Sequence, residues 1–464
     1  MTFLDKLLLY YEREIVSDIK NNKEYLKYLF KNENNSFAQL YLGLMYKKDY
    51  HVKQDYTEAF KWFTLSANHN NNFAQYNLGQ LYYLGLGVPK NYDEALKWYK
   101  LSSEQNNHKA QLKIGYIYLK GKSVEQNYEE AHKWFKLSAE QNNNKALYEL
   151  GELFYYGHIK KDYCEALVWY QSSAKLNNSY AQYSLGFMYK NGKGVEKDYN
   201  EAIKWLNLSA EQNNISAQFC LGLMYRKGLG TNKDINEAIK WFQLSAEQNH
   251  CESQYELAEL YYYGKYLPKD YHDAIKWYKR SAENNYADSQ YSLGYIYRKG
   301  HGVDINYNEA VNWLKLSAEQ NNYMSHYDLA QIYYKGKNGV KDYNEALKWY
   351  KSCAEQNDNR AQFKLGLFYD KGLSVKKDYN EAIYWLKLSS DQNNIKAWHY
   401  LQNLMDNNKE NIFKQYLELR DEVKTLKDYI THLESLPGGK LYEDAMNEFY
   451  SLVDVNNDES KITS

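Results

Sequence analysis

Apolar positions in this chain fall into two helical stripes that recur as a pair. In residues 181–216 the first stripe is Ala181, Leu185 and Met188 or Tyr189, spaced as one face of a helix. Gly192-Lys193-Gly194 interrupts it, and a second stripe follows with Ala202, Trp205 or Leu206, and Ser209. The pattern predicts a helical hairpin, helix A followed by helix B. The block then returns along the chain. Trp62, Trp98, Trp134, Trp169, Trp205, Trp241, Trp277, Trp313, Trp349 and Trp385 lie 36 residues apart, except for one interval of 35 between Trp134 and Trp169. Trp398 alone stands outside this ladder. A fixed period in this range marks a solenoid, because one hairpin cannot bury its apolar face without stacking on copies of itself.

The ends of helix B are written in polar residues. Before it, Asp or Asn is followed three residues later by an acid, as in Asp55/Glu58, Asn91/Glu94, Asp198/Glu201 and Asp378/Glu381. The first residue is predicted to cap the free N–H groups, and the second to complete a capping box and meet the positive end of the dipole. After helix B an asparagine recurs (Asn70, Asn106, Asn142, Asn177, Asn213, Asn249, Asn285, Asn321, Asn357, Asn393). Asparagine is the next-best residue after glycine for a left-handed C-terminal cap. On helix A the fifth residue after the leading alanine is always small, from Gly43 to Gly366, with Ala258 and Ala330 as the non-glycines. A glycine inside a helix costs about 1 kcal/mol against alanine, so the slot predicts a close helix–helix approach. Helix B is expected to lay its Trp and the following aromatic or Leu toward it.

The pattern Ala-x-x-x-Leu-Gly-x-x-Tyr-x-x-Gly-x-Gly-Val…Asp-x-x-x-Ala-x-x-Trp resembles the Sel1-like repeat, a relative of the tetratricopeptide repeat. Copies start near residues 38, 74, 110, 146, 181, 217, 253, 289, 325 and 361, with a partial one at Ala397-Trp398. The resemblance implies an all-α fold: a right-handed α-solenoid superhelix of ten to eleven helix-turn-helix repeats with helical end caps. Two departures stand out. Asn replaces the family's usual Gly at the C-terminal cap, and Ser253, Ser289 and Ser325 replace the leading alanine.

The predicted organisation is N-terminal capping helices over 1–37, the solenoid over 38–410, a C-terminal segment over 411–453 and a loose tail over 454–464. Ile412, Tyr416, Leu419, Val423, Leu426, Ile430 and Leu433 step by four and three. They give either a helix folded back over the last repeat or a short coiled coil for self-association through residues 412–433. A short helix over 441–452 follows.

The resemblance also implies an adaptor that binds another protein in a groove lined by helix A. The lining positions would be one before and two, six and nine after the leading alanine. Positions six and nine vary while the rest of the repeat stays fixed, and exposed aromatics with Arg suit interface hot spots. The candidate partner-binding residues are Tyr116, Tyr155, Phe187, Lys190, Leu223, Arg226, Glu259, Tyr262, Tyr295 and Arg298. Packing between repeats is the competing account of the same variation. On the groove reading, replacing Phe187, Arg226 and Arg298 together by Ala removes partner capture and leaves the melting temperature unchanged.

Composition narrows the alternatives. Lys and Arg number 58 against 59 Asp and Glu, so the net charge of −1 makes no case for nucleic acid or an anionic membrane. No apolar run is long enough to span a bilayer, and the N-terminus lacks a signal-peptide pattern. Cys164, Cys220, Cys251 and Cys353 show no pairing pattern, which points to a reducing, cytoplasmic setting. No nucleotide, metal or nucleophile motif is present, and neither catalytic nor cofactor-binding residues are predicted. The glycine loops, such as Gly85-Leu86-Gly87-Val88, read as turns, and His250-Cys251 as a structural pair. The Trp ladder reads as scaffold. An activator or targeting subunit of an enzyme complex is an alternative form of the adaptor reading. A Sel1-like hydrolase is the rival class, but that subgroup resembles secreted, cysteine-paired proteins. Asn, Lys, Tyr and Ile are abundant, as AT-rich codons favour, and giant amoebal viruses and intracellular bacteria carry comparable proteins.

Overall fold

Each block of 36 residues folds as the expected antiparallel helix pair. The computed structural model describes residues 27–434 apart from 28, 51 and 340, with 407–418 and 433–434 as backbone only. The N-terminal capping segment lies mostly outside the described residues, as do the short helix over 441–452 and the tail. Among the described residues every regular element is a helix. The chain divides into two compact units between Gln248 and Asn249. In the first unit the pairs run from Ser36–Lys48 with Tyr56–Asn68 to Ile215–Lys227 with Ile235–Glu247. In the second they run from Cys251–Tyr263 with Tyr271–Glu283 to Asn359–Lys371 with Tyr379–Asp391. A final helix, Ile395–Glu434, continues the eleventh helix A without a break. The 412–433 stretch therefore does not fold back as a separate cap within the described residues.

All ten predicted caps of helix B form, each side chain accepting from N–H groups of the first turn. The other half of the capping box does not. The N–H of Asp198 donates instead to the carbonyl of Tyr189 at 3.0 Å, and that of Asp55 to Tyr46 at 3.0 Å. Closing the hairpin thus uses the donor that the acid would have taken. The acid pairs with a lysine three residues on, as in Glu58–Lys61 and Glu237–Lys240, or accepts from the Trp indole, as in Glu165–Trp169.

Helix B ends as the asparagines predict. All ten have positive φ, between 58° and 67°. Around Asn70 the backbone closes a Schellman motif, with Asn70 N–H bonded to Ala67 O and Asn71 N–H to Ser66 O. The next residue then starts helix A, since the Asn71 side chain accepts from Phe73 and Ala74 N–H. The turn from B to A is therefore only a few residues long. The Asn70 side chain adds bonds of its own, accepting from Gln75 at 3.1 Å and from Gln105 of the next repeat at 3.0 Å. Asn177, Asn285 and Asn357 repeat that arrangement. This accounts for Asn where glycine is usual: glycine fits the backbone but offers no acceptor.

The core lies between helix B of one repeat and helix A of the next. In the first unit Ala59, Phe63 and Ala67 pack with Ala74, Leu78 and Leu81; in the second, Ala274, Tyr278 and Ala282 pack with Leu293 and Ile296. The small slot on helix A faces the residue after the tryptophan. A Cβ on Gly222 would lie 2.5 Å from Phe242, and one on Gly186 would lie 2.6 Å from Leu206. Those following residues, from Phe63 to Leu386, are at most 1% exposed in all ten repeats. The tryptophans are only half-buried. Trp98, for instance, covers the edge of the cluster formed by the first helix B and the second helix A. Of the two residues expected at the slot only the second fills it. The tryptophan stays half-buried beside it, its indole N–H donating to a glutamate in Trp169, Trp349 and Trp385 and buried without a partner among the described residues in Trp98 and Trp241. A serine four residues after the Trp completes the hairpin. Ser209 Oγ donates to Ser179 O at 2.6 Å and Ser281 Oγ to Cys251 O at 2.8 Å, and Cys353 takes the same place.

Candidate partner-binding surface

Helix A places every predicted groove residue at a half-buried position. Tyr116, Tyr155, Phe187, Lys190, Leu223 and Arg226 lie in the first unit, and Glu259, Tyr262, Tyr295 and Arg298 in the second.

Variation at position six follows the facing helix. Where the residue after Trp is tyrosine (Tyr99, Tyr170, Tyr278, Tyr350), position six is polar: Gln80, Glu152, Glu259 and Gln331. Where it is Phe or Leu, position six is Leu, Phe or Tyr, as in Leu44, Tyr116, Phe187, Leu223, Tyr295 and Leu367. The reason is a buried hydroxyl. Tyr170 donates to Glu152 at 2.5 Å, Tyr278 donates to Glu259, and Gln331 donates to Tyr350 at 2.6 Å. Burial raises the Glu152 carboxyl above its usual range, and the bond from Tyr170 opposes that shift. In three of the four repeats polarity at this position is thus matched to a partner within the same hairpin.

Position nine often ties one helix A to the next. Lys190 Nζ lies 3.3 Å from Cys220 Sγ, and Arg298 forms an ion pair with Asp328 at 2.9 Å. Tyr262 shares a 2.7 Å hydrogen bond with His301 Nδ1. Aromatic rings surround others: Tyr155 meets Tyr156, Tyr163 and Tyr170, and the Arg226 guanidinium lies 5.9 Å from the Phe242 ring. Arg298 also lies over Tyr295, and Lys190 over Phe187.

A cleft of about 960 Å³ on the first unit was not singled out by the sequence. Helix A of the first four repeats lines it, with Lys47, Lys113, Tyr116, Lys145 and Glu149 among its walls. Its lysines come from distant parts of the chain, so no local charge run reveals it. Among the described residues no group of three or more His, Cys, Asp or Glu could hold a metal ion. His250 is structural, its Nδ1 accepting from Ser253 N–H as a helix cap. None of the described helices is long and apolar enough to cross a membrane.

Stacked helical hairpins, joined by capped turns and tied helix A to helix A, define a helical-repeat protein. The chain belongs to the Sel1 repeat family, which matches ten segments in near-unbroken succession from residue 36 to residue 394. A protective antigen of uropathogenic Escherichia coli with an SLR fold is 32% identical, with a TM-score of 0.66 over 82% of each chain. A Sel1 repeat protein from Oxalobacter formigenes is 27% identical, with a TM-score of 0.55 over 69% of this chain and 94% of its own. No curated protein matches the chain.

Proposed function

We propose that this chain is a non-enzymatic scaffold that binds another protein through the helix A surface of its repeats. The observation that carries this reading is position nine. It holds Lys47, Tyr83, Tyr155, Lys190, Arg226, Arg298 and Asp370 in different repeats, half-buried each time, while caps, slot and serine stay nearly fixed. A surface that changes charge and size on a constant frame suits recognition of a partner with a fixed sequence. A targeting subunit of an enzyme complex would use the same surface. Affinity capture from the native cell, compared with a Phe187→Ala, Arg226→Ala variant, tests it. Loss of captured partners with an unchanged melt supports the reading, and retention of every partner overturns it.

A second mode, self-association, is favoured by the unbroken helix Ile395–Glu434. Leu419 is 50% exposed on it, and Val423, Leu426 and Ile430 are only partly covered. Sedimentation of the full chain and of a chain ending at Asn408 should give a dimer and a monomer. Equal monomer masses would remove the idea.

A further inference from the structure

The first unit concentrates positive charge that the whole chain lacks. Lys47, Lys48, Lys109, Lys113, Lys120 and Lys145 line one cleft, and Glu149 is the one carboxylate lining it. Glu149 is already engaged, accepting from Tyr116 at 2.6 Å. Tyr116 in turn lies between two ammonium groups, Lys113 at 5.8 Å and Lys120 at 5.9 Å from its ring. Among the described residues no ion pair involves Lys47, Lys113 or Lys145.

Lys47 shows the consequence. It reaches from the first helix A to the second, donating to Asn77 Oδ1 at 2.9 Å and Gln80 Oε1 at 2.6 Å. Both acceptors are neutral. Burial first, then the charges of Lys48 and Lys113, lower its pKa to about 8. Burial first, then Lys145 and Lys120, also lower that of Lys113. Gln80 occupies position six, where the fourth, seventh and ninth repeats satisfy the tyrosine of the facing helix. Here Gln80 is held by Lys47 and Tyr76, and the fully buried Tyr99 hydroxyl is left without a hydrogen-bond partner among the described residues. Cations have been gathered against one another, and one of them draws a core amide from its place.

We propose that this cleft binds an acidic, extended segment of a partner protein, whose carboxylates take the ammonium groups of Lys47, Lys113 and Lys145. The proposal rests on the scaffold reading and names the class of partner. Charge complementarity selects an anion, and the residue types select a peptide. The lining holds lysines and no arginine, so the bidentate fork suited to phosphate is missing. The side-chain amides of Asn77, Gln80, Asn143 and Asn144 are bonded within the protein, so the single ammonium charges of the lysines carry the recognition, which suits carboxylates spaced along an extended chain. With a net charge of −1, the chain has no general attraction for a polyanion.

The test uses the full chain and a fluorescein-labelled oligoglutamate of about ten residues, roughly 33 Å when extended. Anisotropy is read at about 50 mM salt, where screening is weak. An oligoglutamine of equal length, a thymidine oligonucleotide and tripolyphosphate are run beside it. The oligoglutamate should bind and the oligoglutamine should not. Lys47→Gln, Lys113→Gln and Lys145→Gln together should weaken binding about tenfold or more without lowering the melt. If that variant fails to fold, Lys113→Gln alone should still weaken binding about threefold. Absence of oligoglutamate binding, or affinity indifferent to the lysines, overturns the proposal. So does tighter binding of the oligonucleotide or tripolyphosphate at the same lysines. Those failures leave the scaffold reading intact, because capture through Phe187 and Arg226 does not depend on this cleft.

Discussion

Arg298 and Asp328 face each other across a repeat boundary at 2.9 Å, and the aspartate is nearly covered. Burial raises the Asp328 carboxyl, while Arg298 and then Arg360 draw it back down. Removing the guanidinium would strand a buried carboxylate. Arg298→Ala is expected to destabilise the second unit by about 2 kcal/mol, and Arg298→Leu with Asp328→Leu to restore most of it. Urea denaturation of the three proteins decides, and a single variant as stable as the parent would show that the pair does nothing. Arg298→Ala is also unsuitable as a pure binding probe, so the triple replacement suggested by the sequence would change stability as well.

Tyr170 and Glu152 form the hydroxyl–carboxylate pair of the fourth repeat. Tyr170→Phe removes a hydrogen bond to a charged acceptor and should cost about 2 kcal/mol. Adding Glu152→Leu recreates the pairing of the sixth repeat, Leu223 with Phe242, and should recover nearly all of it. A double-mutant cycle reads the coupling directly. Additive losses would mean that position six varies for another reason.

Asn177 separates backbone from side-chain effects at the turn. Its φ is 59°, and its side chain accepts from Gln182 at 3.3 Å and Gln212 at 3.0 Å. Glycine keeps the conformation and loses the bonds, which should cost about 1 kcal/mol. Alanine loses both and should cost about 2 kcal/mol. Thermal melts should therefore rank Asn above Gly above Ala. Glycine ranking first would mean that the amide network contributes nothing.

Lys47 gives the first unit a pH signature. Its folded-state pKa is about 8 against 10.5 for the unfolded side chain. Between those values the unfolded chain holds the proton more tightly, so this group makes stability rise with pH. Below pH 8 both states are protonated, and the cost of burying the charge beside Lys48 and Lys113 is felt in full. Lys47→Met should therefore be more stable than the parent at neutral pH, by about 1 kcal/mol after allowance for solvent screening. That advantage should shrink as pH rises from 8 to 10.5, measured by urea titration at several pH values. An advantage constant with pH would contradict the assignment.

Features fixed by a few neighbouring residues were legible in the sequence. The cap at Asp198 and the stop at Asn177 depend on local backbone chemistry, and both formed where the residues predicted. Features that depend on direction or on a distant partner were not. Periodicity marks Trp205 as recurrent, but not that Leu206 beside it fills the Gly186 slot. The polarity of Glu152 makes sense only when read with Tyr170 on the facing helix. Asn71 was hidden because two adjacent asparagines do different work, one ending a helix and the next beginning another. The lysine cleft was hidden by averaging: Lys47, Lys113 and Lys145 belong to three repeats, and the total charge cancels them.

The two kinds of connection differ in how freely their length can change. The B-to-A turn at Asn177-Asn178 uses consecutive residues for the left-handed stop and the next cap, and leaves no slack. The A-to-B loop is where the chain has already lost a residue. Gly157–Asp162 spans six residues where Gly121–Asn127 spans seven, which produces the single shortened interval between Trp134 and Trp169. Natural insertions, epitope tags or grafted modules should accumulate in the glycine loops, whereas a single added residue between the paired asparagines should break the register of every repeat beyond it.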